Sequence, residues 1–261
     1  PAGFYQYNIF LLDKSDWTPE QVGQFLAYLP FTKETWGRAS EWLQIYECEY
    51  WTRTDANAYQ ADGDLVDAIE KLIEHGRPHA AIDCLDRIRH AKQSIDSNQC
   101  IRALLAATSS NEPNYAMGGY QIIELIKYLQ EEPSVNQDDL FRVEWAYVPL
   151  LNRDEGAAPQ LLENRLANDP ELFCEVIRII YRSNKGEQPP VEPTEKSKAI
   201  AENAWQLLHD WKSLPGTQRD GTFSEECFTK WLQRIVEVCT ETGHLEVSLI
   251  NIGKVLIHTP P

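Results

Sequence analysis

The sequence predicts an all-α protein built from antiparallel helical hairpins. Apolar residues recur every three to four positions along most of the chain, which is the period of an amphipathic helix. Capping residues, prolines and glycines separate these segments at short intervals. Alternation typical of a strand is weak and confined to residues 4–12. Together these observations favour about ten to twelve helices with short connections.

The first two helices have clear start signals. Thr18, followed by Pro19 and by Gln21, has the pattern of a capping box with proline at the first helical position. Pro30 ends this helix, and Thr32 starts the next. The first helix carries one apolar stripe: Val22, Phe25, Leu26 and Leu29. The second is expected to carry Trp36, Ala39, Leu43 and Tyr46.

The next two helices form the best-defined hairpin. Residues 47–62 have no clear period, and Asp62 or Asp64 is expected to cap the apolar run that follows. Gly76 stands where a left-handed residue ends a helix, and Pro78 opens the next helix. Two amphipathic helices joined by about three residues pack antiparallel.

The remaining helical segments divide around a proline-rich stretch. Before it, apolar periods mark residues 101–108, 120–129, 140–150, 161–166 and 172–180. After it, they mark residues 201–211, 228–239 and 245–256, and a strand is the alternative for the last of these. We therefore expect a main helical array over residues 1–183, a linker or long loop over 184–194, and C-terminal helices packed on the array over 195–261.

The spacing of the helices suggests a repeat architecture. Helices start near residues 64, 97, 136 and 170, and each interval of 33–39 residues encloses a second helix. This is the period of two-helix solenoid repeats. The residue patterns of tetratricopeptide and ankyrin repeats are absent. An α-solenoid of stacked hairpins is therefore our prediction, with a compact irregular helical bundle as the alternative.

Composition and charge exclude several classes of protein. Hydrophobic residues make up 43% of the chain and the net charge is −16, which disfavours a general binder of nucleic acid or anionic membranes. The six cysteines form no C-x-x-C pair, and four of them lie in apolar helical patterns, so we expect free thiols in a cytoplasmic protein. Pro1 at the start and Pro260-Pro261 at the end suggest a piece of a longer polypeptide.

Motifs that carry chemistry are missing from the sequence. It contains no P-loop, no G-x-G-x-x-G, no G-x-S-x-G and no H-E-x-x-H, so we expect no cofactor. His75, His79 and Asp83 are spaced by four, but Gly76 and Pro78 interrupt the helix between the histidines, so we expect no metal site. An enzyme whose catalytic groups come from scattered helices, either a hydrolase or a metal-dependent enzyme, remains the alternative to a non-enzymatic module.

Two small groups of residues are candidates for protein binding. Trp51 and Arg53 lie in the least periodic stretch and would form an interface hot spot if exposed, although packing of an irregular connection is the preferred interpretation. The second group is a basic cluster of Arg87, Arg89, His90 and Lys92, which could dock an acidic partner or simply offset the dipole of a helix C-terminus. Other tryptophans are expected in the core: Trp36, Trp205 and Trp231.

Several strings resemble the helical, solenoid-like regions of large multidomain bacterial proteins. They are Leu-Ala-Tyr-Leu-Pro-Phe-Thr at 26–32, Gly-Arg-Pro-His-Ala-Ala-Ile at 76–82, Asp-Leu-Phe-Arg-Val-Glu-Trp-Ala-Tyr at 139–147 and Asn-Asp-Pro-Glu-Leu-Phe at 168–173. The resemblance implies a sensor or scaffold module whose partner is another protein or other domains of its own chain. Some large bacterial proteins of similar layout act in anti-phage defence, so such a role is a further expectation by analogy.

Overall fold

The computed structural model describes residues 16–56, 65–111, 118–151, 157–180, 203–209, 214–218 and 220–242. These residues are largely helical and include no strand. One isolated antiparallel bridge joins Thr217 to Phe223. The all-α prediction is therefore confirmed. The chain divides into two compact units, Pro1–Glu131 and Glu132–Pro261.

The helices of the first unit are α1 (Pro19–Ala27), α2 (Lys33–Leu43), α3 (Cys48–Trp51), α4 (Val66–Glu74), α5 (Pro78–His90), α6 (Ser97–Ala107) and α7 (Gly118–Glu131). The helices of the second unit are α8 (Gln137–Ala146), α9 (Gln160–Asn168), α10 (Pro170–Ile180), α11 (203–209) and α12 (Glu225–Thr242). Two 3₁₀ turns, Gln44–Tyr46 and Val148–Leu150, follow α2 and α8.

The capping residues that the sequence predicts at the start of α1 and at the end of α4 do form caps in the structure. The Thr18 side chain accepts from the Gln21 N–H while the Gln21 side chain accepts from the Thr18 N–H, which completes the capping box. Gly76 has a φ of 72° after α4. The N–H of Gly76 donates to Ile73 O and that of Arg77 to Leu72 O, so the helix ends in a Schellman motif.

The end of α2 differs from the prediction. The apolar stripe continues to Tyr46, but the helix stops at Leu43 because Gln44 takes a φ of 48°, in the left-handed region. The chain then reverses through the 3₁₀ turn into the short helix α3. A helix thus forms inside the stretch that lacked a clear period. In the same way α8 ends at Ala146 and a 3₁₀ turn replaces its predicted last turn.

Helix α5 lies at the centre of the first unit. It contacts α4, α6 and α7, and α4 also contacts α6, so the hairpins α4–α5 and α6–α7 stack on one another. Alanine, cysteine and larger aliphatic side chains on α5 are buried in this stack: Ala80, Ala81, Ile82, Cys84, Leu85 and Ile88. The small side chains let the neighbouring helices approach closely, and the larger ones fill the space between them.

The second unit has its own core. Side chains of α9, α10, α11 and α12 form one buried cluster that includes Leu162, Leu166, Phe173, Cys174, Ala204, Leu207, Trp231 and Ile235. The indole N–H of Trp231 donates to Leu166 O at 2.8 Å, and its ring meets Phe173 with 4.8 Å between centroids. Trp205 corrects our prediction: its side chain is 55% exposed and stacks on His209 rather than lying in the core.

Several predictions concern residues that lie outside the described part of the chain. They are the N-terminal stretch 4–12, the caps Asp62 and Asp64, the linker 184–194 and the last segment 245–256. The predicted domain boundaries likewise stay predictions.

Candidate protein-binding surface

The structure places Trp51 in the core of the first unit. Its side chain is 1% exposed, and it meets the edge of Phe31, with 6.3 Å between ring centroids, and stacks on His75. Arg77 Nη1 donates to the main-chain carbonyls of Trp51 and Thr54, so this segment is also tied to the start of α5. The alternative in which Trp51 is an exposed hot spot is therefore wrong, because no indole surface is accessible.

Arg53 lies beside Trp51 in sequence but on the surface. It follows α3 and pairs with Glu49 of that helix and with Glu20 of α1 at 3.5 Å. The pair with Glu20 links the end of the α3 segment to the start of α1. Pairs as exposed as this contribute little to stability, on the order of 0–1 kcal/mol.

Within the basic cluster at the end of α5, Arg89 is paired with carboxylates. Arg89 contacts the buried Asp86 at 2.9 Å and Glu124 of α7 at 3.2 Å, and His90 lies 3.4 Å from Asp86. Lys92 follows the helix in a left-handed conformation, with a φ of 55°, and is exposed. The cluster does lie at a helix C-terminus, as predicted. A role of Arg87, Arg89, His90 or Lys92 in binding a partner stays a prediction.

Ion pairs connect corresponding helices of the two stacked hairpins. Arg102 of α6 contacts Glu70 of α4 at 2.6 Å, and the Arg89–Glu124 pair joins α5 to α7 in the same way. Gln99 of α6 also donates from Nε2 to the carbonyl oxygen of Val66. These ion pairs and this hydrogen bond therefore fix the position of one hairpin relative to the other, in addition to the packing of their apolar side chains.

The N-terminal helices have an arrangement that the sequence did not suggest. Gly23 of α1 lies directly against Glu49 of α3, and Glu20 reaches Arg53 one turn further along, so α3 runs antiparallel to α1. Ser40 in the last turn of α2 donates to Glu47 at 3.1 Å, and this hydrogen bond ties the end of α2 to the start of α3.

Large exposed apolar side chains lie in two places in this layer. Tyr28 follows α1, and Ile45 and Tyr46 lie together in the 3₁₀ turn after α2, which we call the apolar end. Tyr28 is 82% exposed and Ile45 is 84% exposed, while Tyr46 is half-exposed. Single exposed apolar residues are common on proteins, but a group of large ones is typical of an interaction site. One signal in the sequence could have identified Tyr28, because it stands outside the apolar stripe of its helix.

Helix α4 packs beside α3. Glu47 pairs with Lys71 at 2.7 Å and Trp51 stacks on His75, and both pairs are 24 residues apart, so α4 runs parallel to α3. Burial by itself would raise the pKa of Glu47, but the hydrogen bonds from Lys71 and Ser40 outweigh it and lower that pKa.

A buried glutamate in the second unit was not singled out from the sequence. Glu144 of α8 is fully buried, and its two carboxylate oxygens accept the N–H groups of Leu161 at 3.2 Å and Leu162 at 2.9 Å. It thereby caps α9, which begins after Pro159 without a cap from its own N-cap side chain. The negative charge lies at the positive end of the helix dipole, which gives it a structural role.

The described residues contain no group of three or more His, Cys, Asp or Glu side chains arranged to hold a metal ion. No helix in the described ranges is long and apolar enough to cross a membrane. Of the cysteines whose side chains are described, Cys84, Cys100 and Cys174 are buried free thiols and Cys48 and Cys227 are exposed free thiols.

Comparison with known proteins identified no relative. No protein-family model, no curated protein and no solved structure matches the chain.

Proposed function

We propose that this chain is a protein-interaction module, and that it serves as a sensor or scaffold part of a larger bacterial protein. The observation that carries the proposal is the exposure of large apolar side chains in the first unit, above all Ile45 at the apolar end and Tyr28 after α1, each of which is more than four-fifths exposed. Burying such side chains against a partner is favourable, by about 25 cal/mol per Å² of apolar surface removed from water.

The scaffold beneath this end supports the proposal. Stacked hairpins joined by Arg–Glu pairs form a rigid support, and a rigid surface loses little conformational entropy when it binds. We further propose that the hairpins α4–α5 and α6–α7 are successive units of a helical-repeat array. The packing of each helix on its counterpart in the next hairpin supports this arrangement.

Site-specific photocrosslinking tests the proposed function. A benzoylphenylalanine residue introduced in place of Ile45 should give a discrete crosslinked product in extract from the source organism. The matched control carries the same residue in place of Glu34, which is also exposed but lies in the first turn of α2, away from the apolar end. Equal labelling at both positions, or no product at Ile45, would contradict the proposal.

The enzyme alternative stays a prediction from the sequence. The buried carboxylate of Glu144 accepts hydrogen bonds from main-chain N–H groups, which gives this carboxylate a structural role.

A further inference from the structure

We propose that the Asp220–Gly221 peptide is a site of spontaneous covalent modification, and that hydrogen bonds from Thr222 keep it unmodified in the folded protein. The modification is the isomerisation of aspartate to isoaspartate, which needs no enzyme and no co-reactant other than water. This inference is independent of the proposed function. The hydrogen bonds of the short turn before α12 carry it.

An aspartate followed by glycine has the chemistry that this reaction needs. The main-chain nitrogen of Gly221 attacks the side-chain carboxyl carbon of Asp220, and the carboxyl hydroxyl leaves with the amide proton as water, so that a five-membered succinimide forms. Water then adds to the main-chain carbonyl carbon of the succinimide and breaks its bond to the nitrogen, which takes up a proton. The product is isoaspartate, whose main chain is longer by one CH₂ group. Glycine favours the attack because it has no Cβ to hinder the approach.

The structure holds both reacting groups in other hydrogen bonds. Oδ1 of Asp220 accepts from the main-chain N–H of Thr222 at 2.9 Å and from its hydroxyl at 2.6 Å. The N–H of Gly221 donates to Gln218 O at 2.9 Å. These hydrogen bonds stabilise the unreacted arrangement, so breaking them adds to the barrier of the reaction.

The same contacts keep the carboxyl group of Asp220 ionised. The hydroxyl and the main-chain N–H of Thr222 lower the pKa of Asp220, because both donate to its carboxylate. The reactive form is the protonated one, since a neutral carboxyl group can release its hydroxyl as water. A lower pKa makes this form rarer at any given pH.

Isomerisation would loosen the segment before α12. This segment is tied to the end of α9, because Asn168 Nδ2 donates to Thr217 O at 2.7 Å. Across the turn, the N–H of Gln218 donates to Thr222 O at 2.7 Å. An added CH₂ group in the main chain shifts the two sides of the turn relative to each other, as a bulge does, and disrupts this pairing. Asp220 and Gly221 are exposed, so water reaches them for the second step.

Incubation of the intact chain at mildly acidic pH tests the inference. The fraction of isoaspartate at position 220 is measured by peptide chromatography with mass spectrometry. The reference is a synthetic peptide of residues 217–223, which lacks the contacts of the folded chain. Each hydrogen bond that must break slows the reaction about 2–10-fold, so isomerisation in the folded chain should be about tenfold slower than in the peptide.

Substitutions assign the protection to the hydroxyl of Thr222. Thr222→Val removes the hydroxyl and keeps the main-chain donor, so isomerisation should be about 2–10-fold faster. Thr222→Ser keeps a hydroxyl and should react as slowly as the unsubstituted chain. Thr229→Val makes the same change at an exposed threonine of α12 and should have no effect. Circular dichroism verifies that each variant is folded.

Two results would overturn the inference. Equal rates of isomerisation in the folded chain and in the peptide would mean that the turn gives no protection, and this comparison needs no variant. A rate that is unchanged in folded Thr222→Val would mean that the hydroxyl of Thr222 does not protect Asp220. Urea denaturation of the purified isoaspartate form should give a lower midpoint than that of the unmodified chain, and an equal midpoint would refute the loosening of the segment before α12.

Discussion

Replacing Gly23 with alanine should destabilise the first unit, although alanine is the better helix former. Glycine in a helix interior costs about 0.5–1 kcal/mol relative to alanine, so the substitution by itself would be favourable. A Cβ at Gly23 would lie only 2.5 Å from Glu49 Cβ, 2.7 Å from Glu49 C and 2.9 Å from Glu49 O. Two of these three atoms belong to the main chain, so α1 and α3 must move apart.

The expected cost follows from that geometry. Overpacking costs about 1–3 kcal/mol, and main-chain contacts this short place Gly23→Ala at the upper end. After subtraction of the helix-propensity gain, the free energy of unfolding should fall by about 2–2.5 kcal/mol. Since 1 kcal/mol corresponds to about 3–6 °C for a unit of this size, Tm should fall by several degrees.

Gly37→Ala is the matched control for this prediction. Gly37 is exposed in the interior of α2, and a Cβ there would have no atom within 4 Å. This variant should be stabilised by about 0.5–1 kcal/mol. Urea denaturation followed by circular dichroism measures both variants. If Gly23→Ala is as stable as Gly37→Ala, Gly23 of α1 does not lie directly against Glu49 of α3.

Three further predictions concern single side chains. Burial raises the pKa of Cys84 to about 12, so this thiol should not react with iodoacetamide at pH 8 until the protein unfolds. The exposed Cys227 should be modified under the same conditions, and peptide mass spectrometry measures both sites. Rapid modification of both thiols would mean that Cys84 on α5 is not buried. Trp231→Phe keeps an aromatic side chain but removes the buried indole hydrogen bond to Leu166 O of α9 and part of the buried volume. It should lower the free energy of unfolding by at least about 1–3 kcal/mol in urea titrations, and an unchanged midpoint would contradict the hydrogen bond. Because the pKa of Glu47 is lowered in the folded state, its contribution to stability is present above its ordinary pKa of 4.5 and is lost as pH falls through the lowered value. The free energy of unfolding of Glu47→Gln should therefore be lower than that of the unsubstituted protein at pH 7, and it should decline less steeply as the pH falls. If the two free energies change in parallel with pH, the ion pair with Lys71 contributes nothing to stability.

The start and end of several helices could be predicted because their causes are local. The capping box of Thr18 and Gln21 involves residues three positions apart. Gly76 ends α4 because a residue without Cβ adopts a positive φ at little cost, and Pro78 begins α5 because its fixed φ suits the first helical turn. Such preferences act within a few residues, so they can be recognised in an isolated sequence.

The burial of individual side chains depends instead on what packs against them. Trp205 lies on an apolar stripe and was expected in the core, yet it is exposed because the other helices of the second unit enclose Ala204, Leu207 and Leu208 instead. Trp51 comes from a stretch without period and is buried, because Phe31 and His75 come from other elements to cover it.

The same distinction applies to the candidate surface. The sequence by itself determined that the chain is helical, that it forms hairpins and that its net charge is negative. Only the tertiary structure decided that Arg89 is paired with Glu124 and that Gln99 donates to the carbonyl oxygen of Val66. These relations join residues far apart in the chain, and their free energy arises from contacts that exist only after the helices pack.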